Sequence, residues 1–177
     1  MISLKNNKVF FLPVNTGYND NGEPNDHLIN FYKKRSGSGI YCSIVGNVVT
    51  PLGFGSNREC VFISKNKSWS VLADTISSNG SIPGIQLSTA WEGYIGMTSF
   101  VAHCKNDFNN YYEIVKNTSE SAIDMIFEDF KNAADLAILA GFKHIQIHAA
   151  HGYLMSLIID EYFCDNHLHA ISKLNDL

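Results

Sequence analysis

Four short apolar segments recur along this chain, each enriched in β-branched residues and flanked by turn-forming residues. They are Val9 to Val14, Ile40 to Val49, Ile82 to Leu87 and Ile145 to Ala149. Short apolar runs with this composition and these boundaries are typical of buried strands. We therefore predict four strands.

Between the strands, the apolar positions repeat with the period of a helix. The clearest case is Ser119 to Ala140, whose apolar residues fall on one face. Thr118 or Ser119 can cap its start, and Gly141 suits the left-handed residue that follows a helix. Weaker helical patterns cover Asp26 to Arg35, Ser68 to Ser78, Tyr153 to Tyr162 and Asn166 to Asp176.

Strand and helix thus alternate four times, which predicts an α/β domain, because parallel strands need long crossover connections. We treat residues 1 to 177 as one domain. An open doubly wound sheet and part of a barrel both fit the pattern, although the phosphate-binding GxGxxG turn follows none of the strands. The polar segment from Thr89 to Asn117 is long enough to suggest a functional lid.

Composition narrows the range of functions. The chain is 45% hydrophobic and 17% charged, with a net charge of -4 and basic residues that are spread out, so a nucleic-acid partner is not expected. Its apolar runs are too short for a signal peptide or a membrane span, which favours a cytoplasmic protein. The four cysteines lack any CxxC pairing and are interpreted as reduced thiols.

The segment "HIQIHAAHGYL" carries the most distinctive polar residues. His148 lies near the carboxyl end of the predicted fourth strand and His151 just beyond it, where parallel α/β folds bind ligands. A metal site would need a third ligand, and the pair lacks the i, i+4 spacing of a helical zinc pair. The candidates for that ligand are His144, Asp165, His167 and His169. A purely structural role, with one histidine in the core and one at the surface, also fits the spacing.

Five segments together resemble one known family. "NNKVFFLPVNTGYNDNGEPNDHLINFY", "VGNVVTPLG", "GIQLSTA", "NTSESAIDMIFEDFKNAADLA" and "AGFKHIQIHAAHGYLMSLII" resemble, in order and roughly in spacing, the first half of the Old Yellow Enzyme family. Members of that family are FMN-dependent ene-reductases and NADH:flavin oxidoreductases built on a TIM barrel. The resemblance implies an enzyme that uses FMN, takes hydride from NADH or NADPH and reduces a small molecule.

The resemblance also implies roles for individual residues. His148 and His151 would hold a substrate oxygen over the flavin, and Tyr153 would lie near the proton-donating position, which suits two donors at a developing oxyanion and a phenol as acid. The implied flavin contacts are Pro13, Val14, Asn15, Gly46 and Gln86.

The chain departs from the family pattern in two respects. Thr89, Ala90, Trp91 and Glu92 stand where the family usually has histidine, a small residue, glycine and arginine. The chain also accounts for only about four strand-helix units of a barrel that typically needs about 250 residues. We therefore expect a second chain, either another copy or a complementary half, to complete the barrel. The alternative is a non-catalytic truncated homologue that acts as a binding or structural module.

Overall fold

Four parallel strands form the centre of the protein in the computed structural model, which describes residues 8–94 and 111–177. They are β1 (Val9–Phe11), β4 (Ile40–Val49), β6 (Ile82–Ser88) and β7 (His144–Ile147). They lie side by side in that order, and the short strand β5 (Val61–Phe62) also pairs with β4 in parallel. Since neighbours in the sheet are also successive units of the chain, every connection between these strands is a crossover.

The remaining elements lie between these strands or after the last of them. The hairpin of β2 (Asn19–Asp20) and β3 (Glu23–Pro24) precedes helix α1 (Asp26–Lys33), and α2 (Lys67–Ser78) leads into β6. Helix α3 (Glu120–Ala140) leads into β7, and α4 (Leu154–Ile158) and α5 (His167–Asn175) follow β7. The predicted alternation of parallel strands and helices is confirmed, and the described strands do not close into a barrel.

Helix α3 begins and ends as the sequence predicts. The Ser119 hydroxyl accepts the Ala122 backbone N–H at 3.2 Å, and Gly141 follows the helix with φ 102°, a conformation that glycine adopts without strain. Its apolar face, which includes Ile123, Phe127 and Phe130, is buried in the main hydrophobic core. That core lies between the helices and one face of the sheet.

Two predicted elements extend well beyond the ends of the observed ones. The first strand stops at Phe11 rather than Val14, because Pro13 has no N–H to donate to a ladder; Val14 makes only an isolated antiparallel bridge with Gly46. The helix expected from Tyr153 to Tyr162 ends at Ile158. Beyond that point the Asp160 carboxylate accepts the Tyr162 N–H at 2.8 Å, a local bond that competes with helix continuation.

Most of the predicted lid, residues 95–110, lies outside the described residues. Its last part, 111–115, is helical. Among the helices that the structure describes, none combines the length and the apolar character needed to cross a membrane.

Candidate active site

A cleft of about 370 Å³ opens at the carboxyl end of the parallel strands. Side chains from the end of β1, from β4, β6 and β7 and from the turn after β7 form its walls. The lining residues are Leu12, Pro13, Asn15, Asn47, Gln86, Gln146, His148, His151 and Tyr153. Six of these are among the eight site residues predicted from the sequence, which the fold has gathered from widely separated segments.

His148 is fixed by the end of the sheet. Its backbone N–H donates to the Leu87 carbonyl at 2.9 Å, which continues the β6–β7 pairing by one residue. Only 8% of the residue is exposed. Burial, with a smaller contribution from His151, lowers the pKa of His148 to about 4, so the imidazole is neutral at neutral pH.

His151 completes a histidine pair. Its Nδ1 lies 3.2 Å from His148 Nε2, so one ring donates a hydrogen bond to the other. His151 has φ 61°, in the left-handed region. Two aromatic side chains hold this turn: the Tyr94 hydroxyl donates to the His151 carbonyl, and the Trp91 indole N–H donates to the Gly152 carbonyl, both at 3.0 Å.

Tyr153 lies against the histidine pair. Its ring centroid is 4.7 Å from that of His148, and the Asn47 side-chain amide donates to its hydroxyl at 3.4 Å. Burial raises the pKa of the Tyr153 phenol above its usual value. The phenol is therefore protonated at neutral pH and lies beside the two imidazole rings of the histidine pair.

Side-chain amides line the rest of the cleft. Gln86 Nε2 donates to Gln146 Oε1 at 2.8 Å, which joins β6 to β7 across the concave face of the sheet. Asn15 Nδ2 donates to Cys60 Sγ at 3.7 Å, and the Asn15 carbonyl oxygen accepts the Gly17 N–H at 3.1 Å. Each of these amides retains hydrogen-bonding capacity for a ligand.

The other two predicted site residues, Val14 and Gly46, do not line this cleft. They border a smaller neighbouring cavity that Asn15 and Asn47 also reach. Gly46 nevertheless shapes the wall, because an added Cβ would lie 2.9 Å from Pro13 Cβ and 3.0 Å from Gln86 Cβ.

Five residues at or around the cleft are not among the site residues predicted from the sequence: Leu12, Asn47, Trp91, Tyr94 and Gln146. Gln146 lies two residues before His148, and this spacing on a strand places both side chains on one face. The position of Gln146 could therefore be predicted from the sequence. Asn47, Trp91 and Tyr94 had no such signal, because their contacts are made across distant segments.

Two of the candidate third metal ligands, His167 and His169, have hydrogen-bond partners outside the cleft. His167 Nδ1 is 3.1 Å from the Cys164 carbonyl oxygen, and His169 Nε2 is 2.9 Å from Asp124 Oδ1. Within residues 8–94 and 111–177, no group of three or more histidine, cysteine, aspartate or glutamate side chains is arranged to hold a metal ion.

Comparison with known proteins gives a consistent family. The sequence profile of the NADH:flavin oxidoreductase / NADH oxidase family matches residues 3–166. An NADPH dehydrogenase of Clostridium acetobutylicum is 30% identical over 155 residues, covering 85% of this chain and 46% of that protein. A probable NADPH dehydrogenase of Candida albicans is 27% identical over 165 residues, covering 77% of this chain and 38% of that protein.

A solved structure shares the fold. The crystal structure of Old Yellow Enzyme from Pichia sp. AKU4542, a TIM barrel, matches with a TM-score of 0.74 and 20% sequence identity, over 96% of this chain and 51% of that chain. The chain thus spans about half the length or less of the curated relatives described above. Because the family profile covers nearly the whole chain, this protein belongs to the NADH:flavin oxidoreductase / NADH oxidase family.

Proposed function

We propose that this chain carries the flavin- and substrate-binding half of an FMN-dependent oxidoreductase of the Old Yellow Enzyme type. Its reaction is the reduction of an activated C=C bond, or a related acceptor, with hydride that originates from NADH or NADPH. The observation that carries the proposal is the grouping of His148, His151 and the Tyr153 phenol at one wall of a cleft whose other walls present side-chain amides.

The residues present fit FMN. Gly46 allows Pro13 and Gln86, which line the cleft, to pack against the β4 backbone, because an added Cβ would lie 2.9 and 3.0 Å from their Cβ atoms. Gln86 and Asn15 offer amide donors and acceptors toward the cleft, which suit the polar edge of a flavin. We place the flavin contacts at Pro13, Val14, Asn15, Gly46 and Gln86.

The histidines and the tyrosine would act on the substrate. Bound FMN supplies hydride that it has accepted from NADH or NADPH. On substrate binding the hydrogen bond between His148 and His151 would open, so that each ring can donate its N–H to the substrate oxygen. Negative charge develops on that oxygen as a hydride adds to the far carbon. Tyr153 gives its hydroxyl proton to the neighbouring carbon, so that one hydride and one proton together saturate the double bond.

We further propose that residues 1 to 177 form one domain that needs additional polypeptide to complete the site. Among the described strands, β1 and β7 each pair on one side only. Phe10 and Leu12, beside the open edge at β1, are 39% and 63% exposed. A second copy of this chain or a complementary half barrel would pair those edges and cover those side chains.

A second candidate is a non-catalytic homologue that keeps the fold as a binding or structural module. Trp91 supports this alternative. Family members usually have glycine at this position, whereas here the Trp91 indole N–H donates to the Gly152 carbonyl. Under this alternative the cleft would bind a flavin weakly or not at all.

The deciding experiment is a titration of the purified chain with FMN, followed by visible absorption and by mass in solution. We expect saturable uptake near one FMN per chain or per dimer, with weaker uptake by Gln86→Leu. The Asn175→Asp variant, which changes an exposed residue on α5, is a matched control. Absence of uptake, both by the chain alone and after mixing with the carboxyl-terminal half of a relative, would reject the flavoenzyme proposal.

A further inference from the structure

Asn47 lies at the centre of a hydrogen-bonded chain that ends at Tyr153. Its Nδ2 donates to Ser88 Oγ at 3.1 Å and to Tyr153 Oη at 3.4 Å, and the Ser88 hydroxyl in turn donates to the Val48 carbonyl at 3.3 Å. Asn47 itself lines the cleft. Its amide therefore connects the buried end of β4 and β6 to the phenol.

The donor and acceptor count fixes the direction of these bonds. Ser88 uses its only hydrogen on the Val48 carbonyl, so it must accept from Asn47, and this sets which end of the Asn47 amide faces Ser88 and Tyr153. An amide N–H that donates to the phenol oxygen cannot accept the phenol hydrogen. The Tyr153 O–H is therefore directed away from Asn47.

The cleft and the Ser56 hydroxyl lie on the remaining sides of the phenol oxygen. Tyr153 lines the cleft together with the two histidines, and its ring packs against His148 with a centroid distance of 4.7 Å. Burial raises the pKa of the Tyr153 phenol, whereas the Ser56 hydroxyl and the Asn47 amide act against that rise. A donor at the phenol oxygen stabilises the phenolate that remains after the proton has left.

We propose that Asn47 is a positioning residue for Tyr153, whose amide directs the phenol hydrogen into the cleft and stabilises the oxygen once that hydrogen has been given up. The inference rests on the proposed function for its catalytic meaning, since the proton is the one that Tyr153 would deliver to a substrate carbon. The hydrogen-bond arrangement itself requires neither flavin nor substrate.

The test is a pH titration of the Tyr153 phenol in the full-length chain. The chain has eight tyrosines, so they are labelled with ¹³C at Cζ and the Tyr153 resonance is assigned with Tyr153→Phe. We expect Asn47→Leu to raise the titration midpoint of Tyr153. Asn47→Asp, which is nearly isosteric, should raise it further because a carboxylate accepts the phenol hydrogen and repels the phenolate.

Asn175→Asp adds the same charge at an exposed site and should leave the midpoint in place. If Asn47→Leu does not fold, Asn47→Asp decides by itself. A Tyr153 midpoint unchanged in the folded Asn47 variants overturns the proposal, even if the chain takes up FMN. A raised midpoint in a chain that takes up no FMN supports the role of Asn47 in directing the phenol and rejects only the flavoenzyme function.

Discussion

His151 Nδ1 lies 3.2 Å from His148 Nε2, so the two imidazoles form one hydrogen-bonded pair at the wall of the cleft. The contact is possible because His148 ends the β6–β7 pairing and His151 turns back in a left-handed conformation. A hydrogen bond between the two rings leaves one further nitrogen on each for a ligand or for solvent.

We expect His148→Ala to weaken the binding of a substituted phenol by about 1.5 to 3 kcal/mol, the usual range for a hydrogen bond to a charged group. The phenolate mimics the oxygen that the histidine pair would hold. Isothermal titration calorimetry measures the change, and Met125→Ala on the exposed face of α3 is the control. Unchanged affinity would remove His148 from the proposed oxygen site.

The same histidine makes stability depend on pH. Its pKa is about 4 in the folded chain and 6.5 ordinarily, so between those values the unfolded chain binds a proton that the folded chain does not. The free energy of unfolding should therefore fall as pH decreases through this window, by about 2 kcal/mol between pH 6.5 and about pH 4.5. Urea unfolding at several pH values measures this loss. The loss of unfolding free energy at low pH should be smaller in His148→Asn. A loss in that variant equal to that of the unmodified chain would assign the pH dependence to other groups.

Tyr94→Phe removes the hydroxyl that donates to the His151 carbonyl while keeping the ring. We expect a loss of about 0.5 to 1.5 kcal/mol in the free energy of unfolding, the typical net value of one hydrogen bond. The His151 ring resonances should also broaden or shift, because its turn is no longer held from that side. Tyr18→Phe, at a tyrosine that is 44% exposed, should change neither measurement. Equal effects of the two substitutions would mean that the Tyr94 hydroxyl does not specifically stabilise the His151 turn.

Gly46→Ala tests the close approach at the cleft wall. The new Cβ would meet the Cβ atoms of Pro13 and Gln86 at 2.9 and 3.0 Å, so the strands must shift. We expect destabilisation of about 1 to 3 kcal/mol by chemical denaturation, as for other overpacked sites. Ser77→Ala, on the exposed side of α2, should be close to neutral. A stable Gly46→Ala protein would mean that this wall is not tightly packed.

Phe130→Ala tests how α3 is anchored to the sheet. Phe130 is fully buried in the main core, and loss of a buried phenylalanine ring costs about 3 to 5 kcal/mol. Met125 lies on the same helix but is 67% exposed, so Met125→Ala should cost far less. Comparable losses for the two variants, measured by urea unfolding, would contradict the observed orientation of α3.

Local patterns in the sequence determined the class of the fold. The bounds of α3 follow from a hydroxyl that can cap it at Ser119 and a glycine that can turn left at Gly141, both of which act within a few residues. The apolar runs also predict the four main strands to within a few residues, because this signal too lies within each short segment. The first strand and α4 end earlier than their apolar patterns predict, before Pro13 and near Asp160.

The sequence also determined that His148, His151 and Tyr153 would cluster, since they follow one strand within six residues. Tertiary structure alone decided which residues support them. Asn47 reaches Tyr153 across 106 positions of the chain, and Trp91 reaches Gly152 across 61. Contacts between such distant segments depend on the register of β4, β6 and β7, which is set by packing across the whole sheet and leaves no periodic signal in the sequence.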